Sequence, residues 1–374
     1  MPNGGKGRTA HTPRSSKGRH RHPRTPQSHK ERKRRHCDQS NKKSERSHHP
    51  KTHRQHKDVA AAQKYTESVK DWISTTVKKG VAGIRGEFES LKTYAPENFT
   101  TTAFERQCNK EKNRYADIFC MDQTRVVLTD CTPDEDYIHA SHVVTDGGKR
   151  FICAQGPLVS TVHDFWRMIY YEQCGAIVML CDLQEGGKPK CTQYWSDHEH
   201  GVAQYGQIVV MTTKVDTLAL PDENDATESK IYVISLKDMV AKSVRHYWWT
   251  NWPDQSVPTN GRPIVHLMEK ATKVAEGKPV VVHCSAGIGR TGTLVALQMC
   301  IEKLNDNRPL DVAQTVRELR NQRLRSVQTE HQYIFIYKSL VEHYLDMMDS
   351  STSSDDKLNT FLHKCNLLIS GISP

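Results

Sequence analysis

The 374-residue chain has no run of about 18 apolar residues, so no transmembrane helix is expected. Its N-terminus has no apolar signal core, so secretion is not expected. Its eleven cysteines are odd in number and scattered. None forms a C-x-x-C pair, and no spacing suggests a disulfide scaffold or a zinc site. A reducing compartment fits, and the expected location is cytoplasmic. The first 57 residues have almost no apolar side chains. Of the chain's 53 Lys+Arg and 43 Asp+Glu, Met1–Lys57 holds 18 and 3, leaving 35 and 40 for the rest. The leader is therefore strongly basic and the remainder slightly acidic.

A segment of this kind cannot bury enough surface to offset its conformational entropy, and disorder is expected over 1–58. The cluster Lys30-Glu31-Arg32-Lys33-Arg34-Arg35 reads as a nuclear address, as a site for nucleic acid, acidic protein or an anionic membrane surface, or as a solvated tether. Nine histidines in the leader are irregularly spaced and define no metal site.

Helical periodicity begins near Val59. Val69, Trp72, Ile73 and Val77 share one face, and Ile84, Phe88 and Leu91 continue the pattern. Strands are expected at 125–128, 151–154, 176–181, 207–215, 231–236 and 244–249. Helices are expected at 262–276, 293–304, 312–320 and 330–345. Strands followed by helices indicate an α/β fold with a mixed sheet. The main domain is expected over 59–348. The tail, 349–374, opens with Ser, Thr and Asp and reads as loose, with an apolar patch (Phe361, Leu362, Leu367, Leu368, Ile369) able to dock weakly.

The most informative stretch is Val280-Val281-Val282-His283-Cys284-Ser285-Ala286-Gly287-Ile288-Gly289-Arg290-Thr291. The β-branched run predicts a strand buried on both faces. The apolar residues Leu294, Val295, Leu297 and Met299 predict a helix. Between them, Gly287 and Gly289 let successive backbone N–H groups converge on one point. A helix N-terminus adds free donors and partial positive charge, so the loop can hold a dianion. Arg290 supplies a planar fork that matches two phosphate oxygens. The same field favours the nucleophilic thiolate of a cysteine placed there. The alternative is a buried, inert cysteine, but Cys-x5-Arg-Thr after His, between strand and helix, is far more specific than a lone glycine-rich loop.

These residues resemble the phosphate-binding loop of the protein tyrosine phosphatases, H-C-x-x-G-x-x-R-[ST]. Other stretches agree in that family's order. Lys112-Asn113-Arg114-Tyr115 resembles the loop whose tyrosine lines a deep pocket. Asp136-Tyr137-Ile138-His139-Ala140-Ser141 resembles D-Y-I-N-A-S, with His139 in place of Asn. Phe151 to Pro157 with Asp164-Phe165-Trp166 matches a structural segment, and Glu185 to Tyr194 the loop whose glutamate braces the arginine. Trp252-Pro253-Asp254 matches the loop carrying the general acid, and Gln328-Thr329-Glu330-His331-Gln332 the segment that positions water. The likeness runs from about Trp72 to Tyr344 and implies a twisted mixed central sheet flanked by helices. The wording of 164–181 and 246–258 is similar to stand-alone, non-receptor members abundant in nematodes.

The resemblance implies a tyrosine-specific phosphatase acting on phosphotyrosine in proteins. Cys284 is the implied nucleophile, Asp254 the general acid, and Gln328 the residue that orients water. Thr291 would stabilise the departing thiolate. Tyr115, Ser285, Ala286, Gly287, Ile288, Gly289, Arg290 and Gln332 are the implied substrate contacts, with His283, Glu185, Lys190 and Trp252 in support. No metal or organic cofactor is implied.

Taken alone, several of these residues read more plainly. Asp254 is a turn residue after proline, and Tyr115 is a half-buried tyrosine. Gln332 is the capping-box partner of Thr329, Trp252 a packed hinge, and Glu185 and Lys190 solvated charges. Two departures stand out. Gln255-Ser256 replaces the usual bulky residue and glycine after the acid, which alters loop closure. Arg325 stands where some members have glycine, which narrows the entrance. A non-catalytic binder would lack at least one of Cys284, Arg290, Asp254 and Gln328. A phosphoinositide or dual-specificity phosphatase would have a shallower or more basic pocket than Ser285 to Gly289 with Tyr115 provides.

Overall fold

At the centre of the fold, the short strand Val280–His283 is buried along its whole length. It lies parallel to a neighbour on each side, Val280 pairing with Phe151 and with Ala176. A strand enclosed by two others and by helices above and below has no polar face to satisfy, which is why it reads Val-Val-Val-His. The computed structural model describes residues 51–252, 256–345 and 355–372, with backbone alone over 51–64 and 223–225. The basic leader, with its proposed binding and address segments, lies outside the described residues up to residue 50.

The elements in chain order are α1 (Lys51–Lys92), α2 (Thr102–Glu105), β1 (Arg125–Val127), β2 (Tyr137–Val144), β3 (Arg150–Ala154), α3 (Val162–Tyr171), β4 (Ala176–Met179), β5 (Gln184–Glu185), β6 (Lys188–Pro189), β7 (Val202–Tyr205), β8 (Ile208–Leu220), β9 (Glu223–Ser235), β10 (Val240–Trp249), α4 (Arg262–Ala275), β11 (Val280–His283), α5 (Arg290–Asn305), α6 (Val312–Arg320), α7 (Glu330–Leu345) and α8 (Asp356–Ile369). Nine strands form one mixed sheet in the order β1-β2-β3-β11-β4-β10-β9-β8-β7, and β5 and β6 form a separate hairpin. The expected α/β architecture with a mixed sheet flanked by helices is the one found.

Helix α5 leaves β11 through the active loop and is buried at every position from Arg290 to Leu304. Its apolar residues Leu294, Val295, Leu297, Met299 and Ile301 pack on several sides, and among its buried polar groups Gln298 Nε2 donates to Glu302 Oε1 at 3.0 Å. It contacts α4, α6 and α7. Helix α1 breaks at Gly80, where φ is +64°. Its buried residues Val69, Ile73, Val81, Ile84, Phe88 and Leu91 join the main core, and Trp72 stacks on Tyr337 of α7 with centroids 6.1 Å apart.

Several boundaries differ from expectation. Helix α1 begins at Lys51, ahead of Val59. Strand β2, read only as a motif, is a full strand paired antiparallel to β1 and β3. Strands β8 and β9 extend well past the apolar segments expected there. Polar residues such as Thr217 and Thr227 face each other in this hairpin, and backbone pairing carries them where apolar alternation stops. The tail was expected to be loose. Over 356–369 it is a helix capped by Asp355, whose carboxylate accepts from the Lys357 N–H at 2.8 Å. Leu358, Phe361 and Cys365 recur at helical spacing and are buried, in contact with α7. One stripe of three side chains does what the composition of the whole segment conceals.

Candidate active site

After β11 the chain turns through Cys284 to Gly289, and α5 begins at Arg290 itself, ahead of the expected Thr293. Gly287 makes the turn with φ +72°, and a Cβ there would stand 2.1 Å from the Ala154 carbonyl oxygen. Glycine alone fits both conditions. The Gly287 N–H donates to Cys284 Sγ at 3.2 Å. At Gly289 a Cβ would come within 3.0 Å of both Gln328 Oε1 and Gln332 Nε2, so any side chain there would press on the ends of these two glutamines.

Cys284 opens on a cavity of about 570 Å³. Among the expected site residues, Tyr115, Lys190, Ser285, Ala286, Gly289, Arg290, Gln328 and Gln332 line it with Cys284. Tyr115 and Ser285 share a hydroxyl–hydroxyl hydrogen bond of 2.8 Å. The loop bearing Tyr115 is held by Arg114, which donates to the carbonyls of Gly156, Pro157 and Pro189 at 3.1, 2.8 and 3.3 Å. Ile288 lies behind the cavity, fully buried, and its carbonyl accepts from Gly292 and Val327 at 3.2 and 3.0 Å. Thr291 is fully buried in the first turn of α5, and its hydroxyl has no hydrogen-bond partner among the described residues.

Arg290 is 2% exposed. Its guanidinium forks onto Glu185 of β5, with N–O distances of 2.5 and 2.6 Å. It also donates to the carbonyls of Leu180 and Trp252 at 2.9 and 3.0 Å. Glu185, which read alone as solvated, is thus the brace of the arginine. A bidentate pair fixes the guanidinium plane as well as its charge. Trp252 is fully buried against Trp249 and Phe335, and its indole N–H donates to the Ser256 carbonyl at 3.0 Å. It is packed, as expected. Asp254 and Gln255 lie outside the described residues.

His283 is fully buried, and burial lowers its pKa to about 4. Its Nδ1 donates to the Cys284 carbonyl at 3.4 Å. Its Nε2 is then an acceptor, 2.7 Å from the Tyr194 hydroxyl, whose oxygen lies 2.8 Å from His246 Nε2. The imidazole fixes the loop and is held neutral, as a positioning group should be.

Thr329 and Gln332 form the expected capping box. Thr329 Oγ1 accepts from the Gln332 N–H at 3.2 Å, and Gln332 Oε1 accepts from the N–H groups of Gln328 and Thr329 at 2.9 and 3.3 Å. The cap of α7 is therefore also a wall of the cavity. Preceding it, Val327 sits at φ +62°, a strained conformation for a β-branched residue. Arg325 reaches sideways to Asp117, donating to its carbonyl at 3.1 Å. It bridges two rim loops and does not intrude among the cavity-lining side chains.

The sequence reading missed Arg323. It is 1% exposed and donates to the carbonyls of Ala286 and Gly287 at 3.2 and 3.1 Å. It therefore holds the active loop from the side opposite the cavity. A charged residue just before a loop carries no periodic signal and reads as solvated.

The protein-tyrosine phosphatase family model matches residues 109–342. Human receptor-type tyrosine-protein phosphatase alpha is 39% identical over 270 residues, covering 70% of this chain and 33% of that protein. Tyrosine-protein phosphatase non-receptor type 9 of Rattus norvegicus is 35% identical over 292 residues, covering 73% and 47%. A Lar-like tyrosine-protein phosphatase of Caenorhabditis elegans is 36% identical over 289 residues, covering 75% and 12%. The chain thus spans from about an eighth to about half of these relatives' lengths, and they do not single out nematode members. Over most of its length, this chain belongs to the protein-tyrosine phosphatase family.

Proposed function

We propose that the chain hydrolyses phosphotyrosine in proteins through a cysteinyl-phosphate intermediate. The observation that carries this reading is the cavity shared by Cys284 and the Glu185-clamped Arg290. Cys284 Sγ attacks phosphorus in line, and the phenolate oxygen leaves with a proton from Asp254. The guanidinium of Arg290 and the loop N–H groups from Ser285 to Gly289 hold the equatorial oxygens, where transition-state charge collects. Positioned acids of this kind contribute about 10²–10⁴-fold. Gln328 then orients water onto the thiophosphate, and Asp254 takes its proton. The buried Thr291 hydroxyl stabilises the departing thiolate. Tyr115, on the cavity wall, stacks on the substrate ring and sets a depth that phosphoserine does not span.

The division into leader (1–58), catalytic domain (59–348) and C-terminal segment (349–374) belongs to this proposal, as does a cytoplasmic location. Among the described residues no helix is long and apolar enough to cross a membrane. For the leader we keep the nuclear address and binding to acidic protein, nucleic acid or anionic membrane as proposals. Salt-dependent retention on DNA or RNA that vanishes on deleting 1–57 supports the nucleic-acid case.

The test compares wild type, Cys284→Ser and Asp254→Ala on phosphotyrosine and phosphoserine peptides. Wild type alone should turn over phosphotyrosine well, and Asp254→Ala should bind substrate while releasing product slowly. Equal rates on the two peptides would defeat the specificity claim, and full activity in Cys284→Ser would defeat the mechanism.

A further inference from the structure

A second cavity lies apart from the active site. A groove of about 710 Å³ runs between α1 at its Gly80 kink and the C-terminal helix α8. Its apolar lining comes from Val77, Val81, Phe361 and Leu368. Its rim carries Lys78 and Arg85 from α1 and Lys357 and Lys364 from α8, with Asp356 as the acid among them. Each helix thus contributes two cations seven residues apart. On the unbroken helix α8 that spacing returns Lys364 to the face of Lys357 two turns later, roughly 10 Å along the axis; on α1 the break at Gly80 lies between Lys78 and Arg85. Arg85 is paired with Glu330 at 2.9 Å. Lys78, Lys357 and Lys364 make no salt bridge among the described residues. An apolar trough edged by exposed cations complements a molecule with a long apolar body and an anionic head.

We propose that this groove binds a single-chain anionic amphiphile, a long-chain carboxylate. The chain would lie on Val77, Val81, Phe361 and Leu368, and the carboxylate would meet the lysines at the rim. The basic leader is an unsuitable occupant, because its Met1–Lys57 excess of 18 Lys+Arg over 3 Asp+Glu is repelled by the same rim. The volume suits a small molecule, within the range of about 300–1,000 Å³ for such sites. The occupant would touch α8 and the kinked part of α1 together, tying the C-terminal helix to the body of the domain.

The test is calorimetric titration of the full chain with dodecanoate and hexadecanoate, each below its micelle concentration, and with hexadecanol as the uncharged analogue. Saturable one-to-one binding should tighten with chain length, and the alcohol should bind more weakly than the acid. The double variant Lys78→Glu/Lys364→Glu and the groove-filling Ala82→Trp should each weaken binding by about tenfold or more. Lys278→Glu, an exposed charge reversal outside the groove, should bind as wild type does. Thermal melts identify any variant whose fold is lost. The proposal is overturned if no saturable binding occurs or if groove and control variants behave alike. It is also overturned if only anionic vesicles or an acidic peptide bind.

Discussion

His139 Nδ1 accepts a hydrogen bond from the Arg323 guanidinium at 3.0 Å, beneath the active loop. Its Nε2 donates to the Ile118 carbonyl at 2.7 Å, so the ring is held as a single neutral tautomer. A neutral imidazole offers one donor and one acceptor, as an asparagine amide does. This explains how histidine occupies a position where the family's segment has Asn. Arg323 passes the constraint on to the carbonyls of Ala286 and Gly287. His139→Asn should therefore keep kcat within about threefold of wild type, while His139→Phe, which fills the space without the polar pair, should lower it by about tenfold or more with KM less affected. Steady-state kinetics on a phosphotyrosine peptide checks both.

The same buried rings make stability depend on pH. Burial, then the Arg323 charge, lowers the His139 pKa to about 3, and burial lowers that of His283 to about 4. Below about pH 6.5 an unfolded histidine binds a proton that the folded one refuses. Stability is therefore fully present above that pH and falls as pH drops toward 4 and then 3. Each such group contributes a slope of about 1.4 kcal/mol per pH unit across its window. Urea midpoints from pH 7 to pH 4 should show a shallower decline for His139→Asn than for wild type.

Gly287→Ala combines two penalties. A left-handed φ costs a non-glycine residue about 1–3 kcal/mol, and the new Cβ would overlap the Ala154 carbonyl oxygen at 2.1 Å. The loop must move, carrying with it the N–H that donates to Cys284 Sγ. The melting temperature should fall, and kcat should fall by about two orders of magnitude or more. A variant with unchanged kcat would show that the turn is not what shapes the loop.

Glu185→Gln removes the charge that faces Arg290 while keeping the side chain's size. Breaking a buried pair from one side leaves an uncompensated charge, and the guanidinium loses the fork that fixes its plane. We expect kcat/KM to fall by about 10²-fold, mainly through kcat, with melting temperature only modestly reduced. A loss confined to KM would mean that Glu185 tunes binding alone.

Much of the fold was legible before any contact was known. The bounds of α6 and α7 are as expected, because Asp311 and Thr329 are N-caps and the apolar stripes behind them are regular. Strand β11 announced itself by three consecutive valines. Strand β2 did not, because it pairs on both edges and buries His139 and Ser141 along with its apolar residues. The C-terminal helix was hidden because only Leu358, Phe361 and Cys365 are buried, a stripe too sparse to stand out in a polar segment.

Among the site residues, Cys284, Ser285 to Gly289 and Arg290 are neighbours in the chain, so spacing and glycine placement sufficed to read the loop. What tertiary structure decided is who stands around it. The brace Glu185 lies 105 residues from Arg290, and His139 lies 184 residues from Arg323. Within a turn of helix or a short loop, backbone geometry forces residues together, so order along the chain is enough. Across such separations only the closing of the sheet and the burial of charge beside charge determine which side chains meet.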